Sequence, residues 1–359
     1  MQAAAHRLGF AHVGWAPLAP LPRAAFLAGW LAEGRAGDMA WLAGPPATRL
    51  DPRTRWPWAR SVVVVAWPYV PPPPPPGDWR AALTGRIAAY ALGIDYHEVV
   101  RGRLRTLAQQ LRARLGGRFQ AYVDTGPLLE REWAMRAGLG WIGKHGLVIH
   151  RVAGSWVLLG ELLTDLEVTP RPLPADRCGS CTRCLADCPT DALTAYAMDP
   201  RRCISYLTIE HHGAIEPALR PRLENWVFGC DVCQAVCPWN AAPPGPDAEF
   251  LAPDLPALLA LDDTGFRARF RRTPVLRTRR HGLARNAAVA LGNSGNPAAV
   301  PPLARALAGD PAPLVRGHAA WALGRLGGGA ARAALDRARV PEPDAAARAE
   351  IELALTALS

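Results

Sequence analysis

Lysine is almost missing from this chain. Lys144 is the only one, although the formal charge is +10 and the sequence pI near 9.7. With arginine as the default base, alongside abundant alanine, glycine and proline, the net charge says little by itself about an anionic partner. The retained lysine says more, because a compact ammonium suits places that a planar guanidinium does not; the plain alternative is a leftover surface residue. Long apolar runs are missing too. The longest uncharged stretch, Ser61–Gly77, is cut by Pro68 and by Pro71–Pro76, which a membrane helix would not carry. After Met1–Arg7 no compact apolar segment leads to a small-residue cleavage site, so the expectation is a cytoplasmic protein without a membrane span. No GxGxxG follows a strand and no GxxxxGK(S/T) occurs, so a nucleotide in a standard phosphate cradle is unsupported. Half of the 359 residues are hydrophobic and a fifth charged, which argues for folded structure in two or three domains.

Cysteine is absent everywhere except in one window of sixty residues, where eight stand: Cys178, Cys181, Cys184, Cys188, Cys203, Cys230, Cys233 and Cys237. Scattered disulfides are rare in a reducing cytosol, and crowding into CxxC units points to metal thiolates. The first group reads Cys-x2-Cys-x2-Cys-x3-Cys-Pro189, the spacing of two-cluster ferredoxins, whose fourth cysteine serves the other cluster. The crossed assignment is Cys178, Cys181, Cys184 and Cys237 for cluster one, and Cys188, Cys203, Cys230 and Cys233 for cluster two. Structural zinc, the alternative, usually shows paired CxxC units or histidine. Clusters move single electrons and do no carbon chemistry, so the rest of the chain must say where the electrons go.

Residues 1–170 alternate helical and strand-like segments. Ala24–Glu33, Tyr96–Leu115 and Leu128–Arg136 read as helices; Val62–Val65, Gly85–Leu92, Gln120–Asp124, Gly146–His150 and Trp156–Leu163 read as strands. This is the pattern of an α/β sandwich. Residues 171–245 form the cluster domain. An acidic, proline-rich link, Asp247–Pro256, then leads into a helical region, residues 246–359 in all. There AAVALG (Ala287–Gly292) recurs as AAWALG (Ala319–Gly324), and Leu291, Leu323 and Leu355 keep the same period, near 32. Helix-pair repeats of this length read as a small HEAT-like solenoid that presents a surface. Just before them, Arg267–Arg285 holds eight arginines, one histidine and no acid. A solvated face is the plain reading; an electrostatic footprint for a polyphosphate backbone is the sharper one.

Three stretches of the first domain stand out: YALGIDYH (Tyr90–His97), VDTGPLLERE (Val123–Glu132) and GLGWIGKHG (Gly138–Gly146). Asp124 falls at the C-terminal end of a predicted strand, before a Gly-Pro turn, where catalytic groups are held rigidly yet face a cleft; it could equally cap the next helix. Tyr96 and His97 could be packing and helix-start residues. These stretches, with Cys178–Pro189, RRCISYLTIEHHGAI (Arg201–Ile215), FGCDVCQAVCPWN (Phe228–Asn240) and LARNAAVALGN (Leu283–Asn293), run in order through nearly the whole chain. In them the chain resembles the epoxyqueuosine reductase family, cobalamin-dependent iron–sulfur enzymes of tRNA modification related to reductive dehalogenases.

The resemblance implies a nitroreductase-like cobalamin domain, a ferredoxin-like module with two 4Fe–4S clusters and HEAT-like repeats. It implies reduction of epoxyqueuosine to queuosine at the wobble position of tRNA, with electrons from a ferredoxin- or flavodoxin-type reductant. Asp124 matches the family's proton donor, a role that would need its pKa raised by desolvation. Arg49, Tyr90, Val148, Ser205, Asp231 and Val232 match positions near the corrinoid; His97 and Lys144 would hold corrin amides or phosphate. Arg277, Arg285 and Asn286 are the expected tRNA contacts. Ala89 departs from the family, where a base is frequent, and nothing demands more than a monomer. A small-molecule corrinoid reductase would need neither the arginine stretch nor the repeats, and a pure electron carrier would not need Asp124.

Overall fold

The computed structural model describes residues 1–44, 46–240, 245 and 250–358, so Asp247–Glu249 of the acidic link lie outside the described residues. The chain forms two compact units. The first takes residues 1–71, 94–201 and 231–245, the second residues 72–93, 202–230 and 246–359. This differs from the contiguous three-part division expected, because the cysteine-bearing stretch contributes to both units. Between residues 171 and 201 only Cys184, Thr190, Ala192 and Pro200 are buried, too little for a core of its own.

The first unit is built on a four-stranded antiparallel sheet. Its strands are β1 (His12–Pro17), β2 (Ser61–Pro68), β3 (Phe119–Tyr122) and β6 (Val157–Thr164), in the order β1-β2-β6-β3. The run Val62–Val65 suits a strand buried on both faces, since β-branched side chains pack well on a pleated surface. Val62, Val64 and Leu163 meet Trp133 and Ala134 of helix α2 (Glu130–Arg136) on one face. Val63, Val65 and Leu162 meet Leu104, Leu107 and Leu111 of helix α1 (Tyr96–Leu115) on the other. Helix α1 spans the range expected, with Asp95 as its N-cap and Gly116 at its end. Strand β1, which sequence periodicity passed over, is interrupted by Gly14 and ends in Pro17. The expected strand over Gly85–Leu92 shrinks to Arg86–Ile87, paired in parallel with Trp226–Phe228 in the second unit. A short hairpin, β4 (Trp141–Ile142) with β5 (Val148–Ile149), carries the motif GLGWIGKHG.

The second unit bears out the period of 32. Helices α4 (Arg279–Asn293), α6 (Pro313–Leu326) and α8 (Ala345–Ala357) stack, with α5 (Val300–Gly309) and α7 (Gly328–Arg339) as their partners. Glycine recurs where the helices approach most closely. A Cβ at Gly292 would stand 2.8 Å from the Ala322 Cβ, and one at Gly324 would stand 2.7 Å from the Ala354 Cβ. The turn acids recur with the same period: Asp310 pairs with Arg280 and Glu342 with Arg316, and each also accepts a backbone N–H two residues on. Among the described residues no helix is long and apolar enough to cross a membrane.

Candidate active site and thiolate region

Strand β3 ends at Tyr122, and the chain turns at once through Asp124, whose φ of 54° lies in the left-handed region that aspartate tolerates better than most residues. Gly126 packs the turn down: a Cβ there would meet the Tyr122 ring at 2.7 Å. Asp124 caps no helix. Its backbone N–H instead donates to Oε1 of Glu130 at 2.5 Å. Its Oδ2 accepts the Tyr96 hydroxyl at 2.8 Å and stands 3.2 Å from Nε2 of His97, while Nδ1 of His97 meets Oδ1 of Asp95 at 2.7 Å. Burial works against a charged His97, but the hydrogen bonds to Asp124 and Asp95 outweigh it and raise the pKa above its ordinary value. Only the imidazolium can donate to both carboxylates at once. His97 is thereby taken into the Asp124 group, not set aside for corrin amides. Asp124 keeps 49% of its side chain exposed, so the desolvation its role requires is not supplied by this chain alone.

The single lysine sits at the tip of the β4–β5 hairpin. Its Nζ donates to the carbonyls of Gly179 at 2.7 Å and Cys181 at 3.0 Å. Lys144 therefore braces the first cysteine loop, a use that suits a compact ammonium. Asp176 fixes the start of that loop by accepting the Cys178 N–H and the Tyr196 hydroxyl, which pushes the tyrosine up to about 12. Burial raises the Cys184 thiol, and so do Cys237, Cys178 and Cys181 beside it. Cys237, fifty residues away in sequence, thus joins the three cysteines of the first loop. Cys188 lies apart and accepts the Ala192 N–H on its sulfur at 3.4 Å.

Other expected residues are spread more widely. Arg49 is buried, donates to the Trp41 carbonyl and lies over the Trp41 ring, yet its Nε has no partner among the described residues; burial lowers its pKa. Val148 is buried in the apolar layer of α2. Tyr90 packs on Phe228, Ser205 is half-buried on helix α3 (Ile204–Ile209), and Asp231 opens the short helix Val232–Ala235. Three residues escaped the sequence reading. His145, beside Lys144, accepts the Leu147 N–H on Nδ1, so its proton sits on Nε2, a buried donor without a partner among the described residues; burial and then Arg131 bring it down to about 4. Half-buried Glu130 and fully buried Glu161 form a carboxyl pair near Asp124. A histidine next to the only lysine was a visible signal for the first. Glu161, a lone acid inside an apolar strand, was a visible signal for the pair.

In the second unit Arg285 and Asn286 correct the expectation of nucleic-acid contact, because both are 0% exposed. Arg285 donates to the carbonyls of Leu207, His211 and Gly213, and to the Asn286 side chain; Asn286 donates to the carbonyls of Thr208 and Val227. A guanidinium committed to backbone carbonyls is a fastener, not a phosphate hook. Arg277 differs: it is 44% exposed and pairs with Glu210.

The family described as epoxyqueuosine reductase QueG matches residues 49–125, a 4Fe–4S double cluster binding domain matches residues 177–240, and HEAT repeats match residues 273–356. Among curated proteins, the epoxyqueuosine reductase of Xanthomonas campestris is 41% identical over 84% of this chain and 88% of its own. That of Pseudomonas aeruginosa is 40% identical over 89% of this chain and 92% of its own. The chain belongs to the epoxyqueuosine reductase family. It is a reductase by that membership, with a double-cluster iron–sulfur segment and HEAT-like repeats. A solved epoxyqueuosine reductase bound to an epoxyqueuosine-modified tRNA-Tyr stem loop superposes with a TM-score of 0.92 at 31% identity, covering 99% of this chain and 97% of that one. The Bacillus subtilis member, solved with its catalytic aspartate loop swung out of the active site, gives 0.90 at 30% identity, covering 100% and 97%.

Proposed function

We propose that this chain reduces epoxyqueuosine to queuosine on tRNA, with Asp124 handing a proton to the departing epoxide oxygen. Two electrons and two protons carry that oxygen off as water and leave the alkene. The observation that carries the reading is the convergence of Tyr96, His97 and Glu130 on Asp124, in the same unit as the Cys178, Cys181, Cys184 and Cys237 group. Cluster one takes those four cysteines, and cluster two takes Cys188, Cys203, Cys230 and Cys233. In the protonated state His97 donates to Asp124 and is held by Asp95, so it can return a proton to Asp124 between turnovers. Covering the exposed half of Asp124 falls to the bound substrate base.

Cobalamin is the second cofactor in this reading. Its rim of amide carbonyls and its phosphate accept hydrogen bonds, and this unit holds buried donors that find no acceptor among the described residues: Arg49 Nε, Trp133 Nε1, Trp141 Nε1 and His145 Nε2. That chemistry fits. Arg49 and His145 would supply donors, and Val148, Asp231 and Val232 of the same unit would line the group. When bound, cobalamin supplies a strongly reducing metal that accepts single electrons from the clusters. Arg277 and its arginine-rich neighbours offer tRNA phosphates a basic face, and a ferredoxin- or flavodoxin-type protein supplies electrons. The test is anaerobic. Protein reconstituted with iron, sulfide and cobalamin, given a low-potential reductant and an epoxyqueuosine-modified stem loop, should yield queuosine. No product, with both clusters and cobalamin present by spectroscopy, would defeat the proposal.

A further inference from the structure

The proton donor is backed by two carboxyl groups, Glu130 and Glu161, to which the reaction just described gives no proton to carry. Glu130, the first residue of α2, accepts the Asp124 N–H and so ties down the left-handed turn. Glu161 lies in the middle of β6, 0% exposed, opposite Val64 of β2 on one side and Tyr122 of β3 on the other. Its neighbours on that face are the apolar side chains packed under α2. Among the described residues neither of its oxygens has a partner at standard hydrogen-bond geometry; the polar group that approaches it is the Glu130 carboxyl.

A buried carboxylate beside a half-buried one is not sustainable with both charged. The charged groups facing the pair are Asp124 from the turn and Arg131 from α2, and the exposed Arg131 spends Nη1 on the Gly146 carbonyl. Burial, then the Asp124 charge, raises Glu130 to about 7. Burial, then Glu130, raises Glu161 well above the usual carboxylate range. At neutral pH the pair therefore retains a proton, and the deeper member, Glu161, keeps it.

We propose that Glu161 is a positioning residue for the proton donor: its protonated carboxyl donates to Glu130, and Glu130, held in place, grips the Asp124 backbone N–H. Asp124's role rests on the function proposed above; the Glu161–Glu130–Asp124 latch does not. Loss of the Glu161 donor leaves half-buried Glu130 with one bond fewer. It then protonates or swings away, and the turn at residues 123–126 opens.

Reconstituted holoprotein tests this in two ways that need no turnover. E161L should raise hydrogen exchange of the peptide spanning residues 121–128 by about tenfold, the scale of one lost hydrogen bond, and E161Q, which keeps a donor, should restore most of the protection. The infrared carbonyl band of a protonated carboxylic acid should be present in the wild type and lost in E161Q. E130A, with Glu161 intact, should open the same peptide even if E161L fails to fold. Under turnover E161L should lose about tenfold in kcat with little change in KM, and E161Q should recover most of it. Wild-type exchange in E130A, equal exchange in E161Q and E161L, or a carboxylic acid band that survives in E161Q would overturn the proposal. An opened peptide with no product from any form would instead count against the proposed reaction.

Discussion

Arg285 is the sharpest place to separate structure from recognition, because its residue type and its neighbours suggested phosphate contact and its surroundings contradict it. Replacing it with methionine keeps the bulk and removes the guanidinium. Four acceptors lose a donor: the carbonyls of Leu207, His211 and Gly213, and Oδ1 of Asn286. The half-buried His211 and Gly213 carbonyls can turn to water, but Leu207 is buried and its carbonyl cannot. One stranded buried acceptor costs about 1–3 kcal/mol, and the lost charge-assisted bonds add to it, for about 3 kcal/mol in all. In a unit of this size that lowers the melting temperature by about 6–12 °C. The assay pairs Arg285→Met with Arg277→Ala, each followed by thermal unfolding and by stem-loop binding across a salt series. Arg285→Met should melt early and keep the wild-type slope of log K against log salt. Arg277→Ala should melt near the wild type and lose about 0.7–0.9 of that slope, the share of one phosphate contact. A stable Arg285→Met with a shallower slope would show that its guanidinium reaches the nucleic acid, and the fastening role would fall.

Asp124→Asn should keep both clusters and cobalamin by absorbance and lose about a hundredfold or more in kcat; wild-type turnover would remove Asp124 from its role. Lys144→Met removes a positive charge from the first cysteine loop, so the potential of cluster one, read by redox titration with electron paramagnetic resonance, should fall by on the order of tens of millivolts. An unchanged potential would confine the lysine to loop bracing. Gly324→Val forces side-chain atoms into Ala354 and should cost about 1–3 kcal/mol, read as earlier melting of the repeats; an unmoved transition would mean α6 and α8 can part cheaply. His97 titrates above its ordinary value, so its imidazolium contributes stability below pH 6.5 that is lost as pH rises through the raised pKa. The rate should therefore fall as pH rises through that raised pKa, and His97→Asn should abolish that limb; a limb unchanged in the variant would assign it elsewhere.

What the sequence made legible follows from how local each signal was. Helix α1 was readable end to end because its cap, its apolar spacing and its terminal glycine all lie within the segment itself. The thiolate run and the period of 32 were readable for the same reason. Strand β1 was not, because a short edge strand broken by glycine has little pattern of its own and exists through its pairing with β2. The unit boundaries were not, because a chain that leaves one core and returns leaves no mark at the crossing. Site residues divide along the same line. Asp124 was found from its place at a strand end, but the contacts of His97 with Asp124 and of Lys144 with the carbonyls of a cysteine loop join segments far apart in sequence and left no local sign. Arg285 shows why residue type misleads in an arginine-rich chain. Eight arginines within nineteen residues look like one basic face, but they fall on different elements and sides: on α4 Arg280 pairs with Asp310 and Arg285 enters the core, while Arg277, in the turn before α4, stays half in solvent. Charge density along a sequence therefore overstates the charge a surface presents, and the phosphate contacts this chain can make are fewer than its arginines.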